Sequence, residues 1–188
     1  MVTPDEAAAA LSAASTTMRR SRRAALSKFA QTSLVFWGIA WIIGFGAEQF
    51  LPDWRSWLVW ALVGIAAFAL TRWHDSASAM SSGAISGWEA QFHRTWWVLF
   101  FGSAGLEAIT VPAPVVVIGL LPGALWGIAF VIYAVLAEDR ALGVLGASIV
   151  VLAVVLRILF VHQALLLFGL GAGGAMTTLG VVRTVRQW

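Results

Sequence analysis

Residues 114–136 read PVVVIGLLPGALWGIAFVIYAVL, a stretch without one charged side chain, and Glu138-Asp139-Arg140 closes it. Crossing about 30 Å of hydrocarbon at about 1.5 Å per helical residue takes about 20 predominantly apolar residues. This stretch meets that requirement, with Pro114 tolerated at a helix start, where its missing N–H costs nothing. A second apolar run, Ala141–Ile158, follows directly, so the charged trio reads as a tight turn between two antiparallel spans.

The pattern repeats outward in both directions. Ser33–Phe50 is a first span, ended by Leu51-Pro52-Asp53, and Ser56–Trp73 is a second. Thr95–Val111 is a third, ended by Pro112-Ala113-Pro114, which leads into Pro114–Leu136 as the fourth. Ala141–Ile158 and His162–Arg183 are the fifth and sixth. Arg157–Gln163 between them holds neither Gly nor Pro. A single helix from Ala141 to Val182 would nevertheless be about 63 Å long, twice the hydrocarbon thickness, so length demands two spans. The expected fold is all-α: a polytopic bundle of six transmembrane helices at 33–183, with an N-terminal arm at 1–32 and a tail at 184–188.

Composition agrees with lipid as the main solvent. Of 188 residues, 60% are hydrophobic even with glycine left out, and 11% are charged. An ordinary soluble domain has about 45–50% apolar residues with glycine included and about 25% charged. A water-soluble chain of this size keeps too much surface in contact with water to hide that excess. A disordered chain needs the opposite composition. The absence of cysteine excludes disulfides, thiolate metal centres, iron–sulfur clusters and a Cys nucleophile.

Charge sets the orientation. With the N-terminus in the cytoplasm, Arg19, Arg20, Arg22, Arg23, Lys28, Arg72, Arg94, Arg140, Arg183 and Arg186 fall inside, and Arg55 and Arg157 fall outside. Inverting the chain would reverse that ratio, against the positive-inside rule. Both termini are therefore expected in the cytoplasm. The cluster from Arg19 to Lys28 abuts a span, which favours an anchor on anionic lipid of the cytoplasmic face over a nucleic-acid arm, at about 1 kcal/mol per basic side chain. Ser21-Arg22-Arg23 with Leu26 and Lys28 also has the outline of a twin-arginine export signal, but Ala25 stands where that signal carries an aromatic residue. Ahead of the cluster, Thr3-Pro4-Asp5-Glu6 reads as a helix start with a capping box.

Of the 11 Trp residues, Trp54, Trp57, Trp73, Trp96, Trp97 and Trp188 fall at predicted span ends, where an amphipathic ring suits the headgroup level. Trp37, Trp41, Trp60 and Trp126 lie deeper and are expected to pack. Gly119, Gly123 and Gly127 form a small-residue stripe on the fourth span, with Pro122 inside it, and Gly169 and Gly173 repeat the theme on the sixth. Such stripes let another backbone approach closely, within the chain or from a partner. Residues 169–174 formally satisfy G-x-G-x-x-G, but a dinucleotide site needs a preceding strand and a later acidic residue, and this chain has membrane helix on both flanks.

An ionised group near mid-bilayer costs about 2.5–3.5 kcal/mol and therefore needs a reason. Glu107, on the small and polar side of its helix with Ser103 and Thr110, and Arg157 are predicted at similar depth on the outer side. They are expected to form an intramembrane ion pair. Hydration at the interface, with Arg157 snorkelling, and a proton or cation site at Glu107 are the alternatives. In the loop at 74–94, His74, Asp75, Glu89 and His93 could coordinate a divalent metal, but no zinc-type spacing is present, and a solvated loop is the simpler reading. No catalytic constellation or cofactor motif occurs. The chain is expected to be a bacterial inner-membrane protein without enzymatic activity. An accessory, regulatory or structural component beside another membrane protein or a second copy of itself is the first reading. A small transporter or channel component using Glu107 and Arg157 is the alternative.

Overall fold

The computed structural model describes residues 3–51, 54–82, 87–110 and 113–186, with the side chains at 18–31 and 75–93 outside that description. The described residues are helical and contain no strand. In chain order the helices are α1 (Pro4–Phe50), α2 (Trp54–Ser82), α3 (Gly87–Thr110), α4 (Val115–Ala137), α5 (Arg140–Leu159), α6 (Ala164–Phe168) and α7 (Gly174–Val185). A 3-10 turn, Val161–Gln163, precedes α6, and a π turn, Gly169–Gly173, joins α6 to α7. Among the described residues, five segments are long and apolar enough to cross a membrane: Thr32–Phe50, Trp54–His74, Val115–Ala137, Arg140–Leu159 and the composite Val161–Val185. α3, with 24 residues from Gly87 to Thr110, is about 36 Å long.

The N-terminal arm and the first span form one continuous helix. Neither Gly nor Pro occurs between Pro4 and Gly38, and the Ala-rich run has high helix propensity, so nothing stops α1. Its start carries the expected capping box: the Glu6 N–H donates to the Thr3 hydroxyl at 3.3 Å and the Thr3 N–H donates to Glu6 at 2.8 Å. The Thr3 backbone N–H, and after it the Thr3 side chain, hydrogen-bond the exposed Glu6 carboxyl and hold it below its usual range. The section ahead of Thr32 extends the helix by about 42 Å. Arg19, Arg20, Arg22, Arg23 and Lys28 lie along it, and their side chains are outside the described residues. Trp188 and the side chains of Asp75, Glu89 and His93 are outside them as well. The expected loop at 74–94 is largely helix, since α2 runs on to Ser82 and α3 starts at Gly87.

Helix period decides which faces meet. On α5, Leu142, Leu145, Ile149, Ala153 and Leu156 are buried at three- and four-residue intervals. Val144, Val151, Val154 and Ile158 on the opposite face are exposed, a contiguous apolar belt suited to lipid and unsuited to water. The core is centred on Trp41 and Phe45 of α1, Phe168 of α6, Ile149 of α5 and Met176 of α7. Phe45 meets Phe168 edge to face, with ring centroids 5.0 Å apart.

Two close crossings tie the bundle. Gly127 of α4 faces Gly146 of α5, where a Cβ on Gly146 would lie 2.5 Å from the Gly127 carbonyl oxygen. Gly173 faces Gly38 of α1 in the same way, again with 2.5 Å between an added Cβ and the carbonyl oxygen. The α4–α5 turn sits on Glu138, which adopts the left-handed conformation at φ 54°. Asp139 next to it accepts from the Leu142 N–H at 3.1 Å and pairs with Arg183 of α7 at 2.7 Å.

Candidate functional site

A cavity of about 550 Å³ lies between α1, α2, α3 and α4, with Met176 of α7 at its base. α1 and α4 pack against each other and form its back wall; α2 rests on α1, and α3 rests on α4 and α1. Across the gap between α2 and α3, Phe68 and Trp97 meet with ring centroids 5.4 Å apart. The wall residues Trp57, Ile65, Phe68, Trp97 and Phe100 of these two helices are also exposed, so the cavity opens sideways between them. From Trp97 to Glu107 along α3 it runs about 15 Å.

The lining is apolar and aromatic over most of that length, with Trp37, Trp41, Phe45, Trp60, Trp96 and Trp126 contributing indole and phenyl faces. Polar side chains gather at one end, that of the α1–α2 and α3–α4 connections: Glu48, Ser56, Ser103 and Glu107. Glu48 and Glu107 each stand within three residues of their helix ends, at matching depth. Glu48 accepts from the Trp60 indole N–H at 3.2 Å. Its carboxylate lies against Gly119, where an added Cβ would be 2.9 Å from Oε1. Gly44 in turn leaves room for the Trp60 ring, which meets Phe45 edge to face at 4.9 Å. Ser103 is buried, with 8% of its surface exposed, and its hydroxyl has no hydrogen-bond partner among the described residues. Pro122 has no N–H for the Ile118 carbonyl, and both residues face the cavity.

Two carboxyl side chains aimed into one low-dielectric volume repel each other when both are ionised, and a cation placed between them relieves that repulsion. The indole faces add attraction for a positive group, worth about 2 kcal/mol when it is desolvated. Among the described residues no group of three His, Asp or Glu is placed to hold a metal ion.

The structure does not bring Glu107 and Arg157 together. Arg157 is exposed in the last turn of α5, and it makes no ion pair or hydrogen bond with a described residue. α5 lies against α4 and the terminal segment, whereas Glu107 faces α1. The carboxylate that shares its cavity is Glu48, which the sequence reasoning passed over. Glu48 lies inside the first apolar run and is subject to the same energetic argument as Glu107, but its closeness to Leu51-Pro52-Asp53 disguises it as a boundary residue.

The glycines singled out by spacing all face this chain itself. Gly119 meets Glu48 and Leu165, Gly123 meets the Phe168 ring, and Gly127 meets Gly146. Gly169 meets Phe45 and Trp41, and Gly173 meets Gly38 and Ile42. Of the deep tryptophans, Trp41 is both packed and cavity-lining, while Trp96, expected at an interface, stacks on Tyr133 with ring centroids 6.1 Å apart and an 11° tilt. The G-x-G-x-x-G segment is the π turn and the start of α7.

Comparison with known protein families, curated proteins and solved structures returns no match for this chain.

Proposed function

We propose that the chain is a small membrane transport component that holds a cation in the cavity between Glu48 and Glu107. In this reading α3 supplies the sixth crossing in a bacterial inner membrane and both termini lie in the cytoplasm, the orientation that the distribution of basic residues favours. The carboxylate end of the cavity then lies toward the outer face. The observation that carries the reading is the pairing of two carboxylates in one otherwise apolar cavity, since a buried acid in a membrane protein calls for a functional reason. The earlier alternative thus keeps Glu107, exchanges Arg157 for Glu48, and involves no catalysis.

The accessory reading loses its proposed contact surface, because Gly119, Gly123, Gly127, Gly169 and Gly173 are occupied within the chain. The polybasic stretch from Arg19 to Lys28 keeps its proposed role on anionic lipid.

Flux decides this reading. Purified protein in liposomes holding a pH-sensitive dye, under an imposed potassium diffusion potential, is expected to pass protons faster than protein-free liposomes. Glu48→Gln and Glu107→Gln are each expected to reduce that flux at least about tenfold, the size of a lost charge-assisted contact. Wild-type flux equal to that of empty liposomes, or unchanged flux in both variants, overturns it.

A further inference from the structure

The cavity has two features that a proton or a simple metal ion would not use: about 15 Å of aromatic wall beyond the carboxylates and an opening toward the bilayer. Its volume of about 550 Å³ falls within the range of about 300–1,000 Å³ typical of small-molecule sites. Such sites combine an apolar lining with a few placed polar groups, and here those groups sit at one end only. Ser103 is an independent pointer to a ligand. More than nine-tenths buried, its hydroxyl faces the cavity and has no partner among the described residues, so it stands ready to donate to or accept from a guest.

From this polarity we infer that the cavity binds an amphipathic organic cation, admitted from the bilayer between α2 and α3. Its positive group lies between Glu48 and Glu107, and its apolar body lies along Trp60, Trp96 and Trp126. The inference rests on the cation-binding reading above and adds the ligand class and the route. Charge complementarity selects the sign. The aromatic wall selects an apolar body, because both dispersion and cation–π attraction grow with contact area over the ring faces. The side opening selects lipid-soluble molecules, since Ile65, Phe68 and Phe100 along it are apolar and exposed.

The test uses full-length protein in lipid nanodiscs, with protein-free nanodiscs as the blank, and three probes. These are tetraphenylphosphonium, its isosteric anion tetraphenylborate, and tetramethylammonium, which has the charge without the apolar body. Saturable binding of tetraphenylphosphonium is expected, with no saturable tetraphenylborate and tetramethylammonium at least about a hundredfold weaker. Glu107→Gln should weaken tetraphenylphosphonium at least about tenfold. Gly64→Leu, which places bulk in the cavity where an added Cβ meets nothing within 4 Å, should block it with both carboxylates intact. Equal affinity for the two tetraphenyl ions overturns the inference. So does tetramethylammonium binding as tightly as tetraphenylphosphonium, though that result leaves the cation reading standing. No saturable binding of either cation also overturns the inference, and the proton flux described above then decides the cation reading by itself.

Discussion

Gly173→Leu is expected to abolish the folded bundle, whereas Gly174→Leu, one residue along, is expected to be tolerated. A Cβ at Gly173 would lie 2.5 Å from the Gly38 carbonyl oxygen and 2.9 Å from Ile42 Cγ1, so α1 and the terminal segment would have to separate. Lipid supplies no hydrophobic force between helices, and close backbone packing is what holds them. Separation would loosen Trp41, Phe45, Phe168 and Met176 together, all of which are buried at this contact. Overpacking a tight core costs about 1–3 kcal/mol and sometimes more. The upper end applies here because backbone, not a movable side chain, is in the way. At Gly174 an added Cβ meets nothing within 4 Å. Monodisperse yield and thermal midpoint in detergent, measured on both variants, check the contrast. Equal behaviour of the two would show that the crossing is misplaced.

Asp139→Ala is expected to be the second most damaging change. Asp139 caps α5 through the Leu142 N–H and neutralises Arg183, and the two side chains are only 22% and 15% exposed. Losing a cap costs about 1 kcal/mol. Breaking a buried pair by removing one partner costs about 3–5 kcal/mol, and partial exposure lowers that toward about 2 kcal/mol here. Asp139→Asn keeps the cap and loses the charge, so its loss should fall between wild type and Ala. Arg183→Met combined with Asp139→Asn should recover part of it, since no lone charge then remains. The order of thermal midpoints, wild type, then the double variant, then Asn, then Ala, is the expected result. Asp139→Ala melting with wild type would remove the pair from the account.

What was legible in the sequence follows from where each instruction is local. Residues 115–137 and the Glu138-Asp139 turn are written in one uninterrupted apolar run and two charges. The break after Leu159 is different, because 157–163 contains neither Gly nor Pro. The chain turns there on a tertiary contact: the Gln49 amide donates to the His162 carbonyl at 2.8 Å, and Gln49 also accepts from the Leu166 N–H at 3.4 Å. No reading confined to 157–163 contains a partner on α1. Length arithmetic called for two spans, but what holds the corner was out of its reach.

The candidate site was half legible for a similar reason. Glu107 is conspicuous because an acid inside an apolar run costs energy wherever the neighbouring helices lie. Its partner depends on which helices are neighbours. Equal depth made Arg157 the natural choice, but α5 is held behind α4 by the Gly127–Gly146 crossing, and α1 brings Glu48 to the cavity instead. The glycine stripe was read as a face for another backbone, and at Gly127 it is one. At Gly119 the missing side chain makes room for a carboxylate, a use that spacing alone does not reveal.

The central claim is that Glu48, and not Arg157, shares a cavity with Glu107. Because the native chain has no cysteine, paired substitutions report on it without background. With Glu48→Cys and Glu107→Cys together, a short bifunctional thiol reagent should give an intramolecular cross-link, seen by intact mass, in protein kept in nanodiscs. The pair Glu107→Cys and Arg157→Cys should give none under the same conditions. The reverse outcome, a cross-link between 107 and 157 with none between 48 and 107, would contradict the cavity and everything built on it.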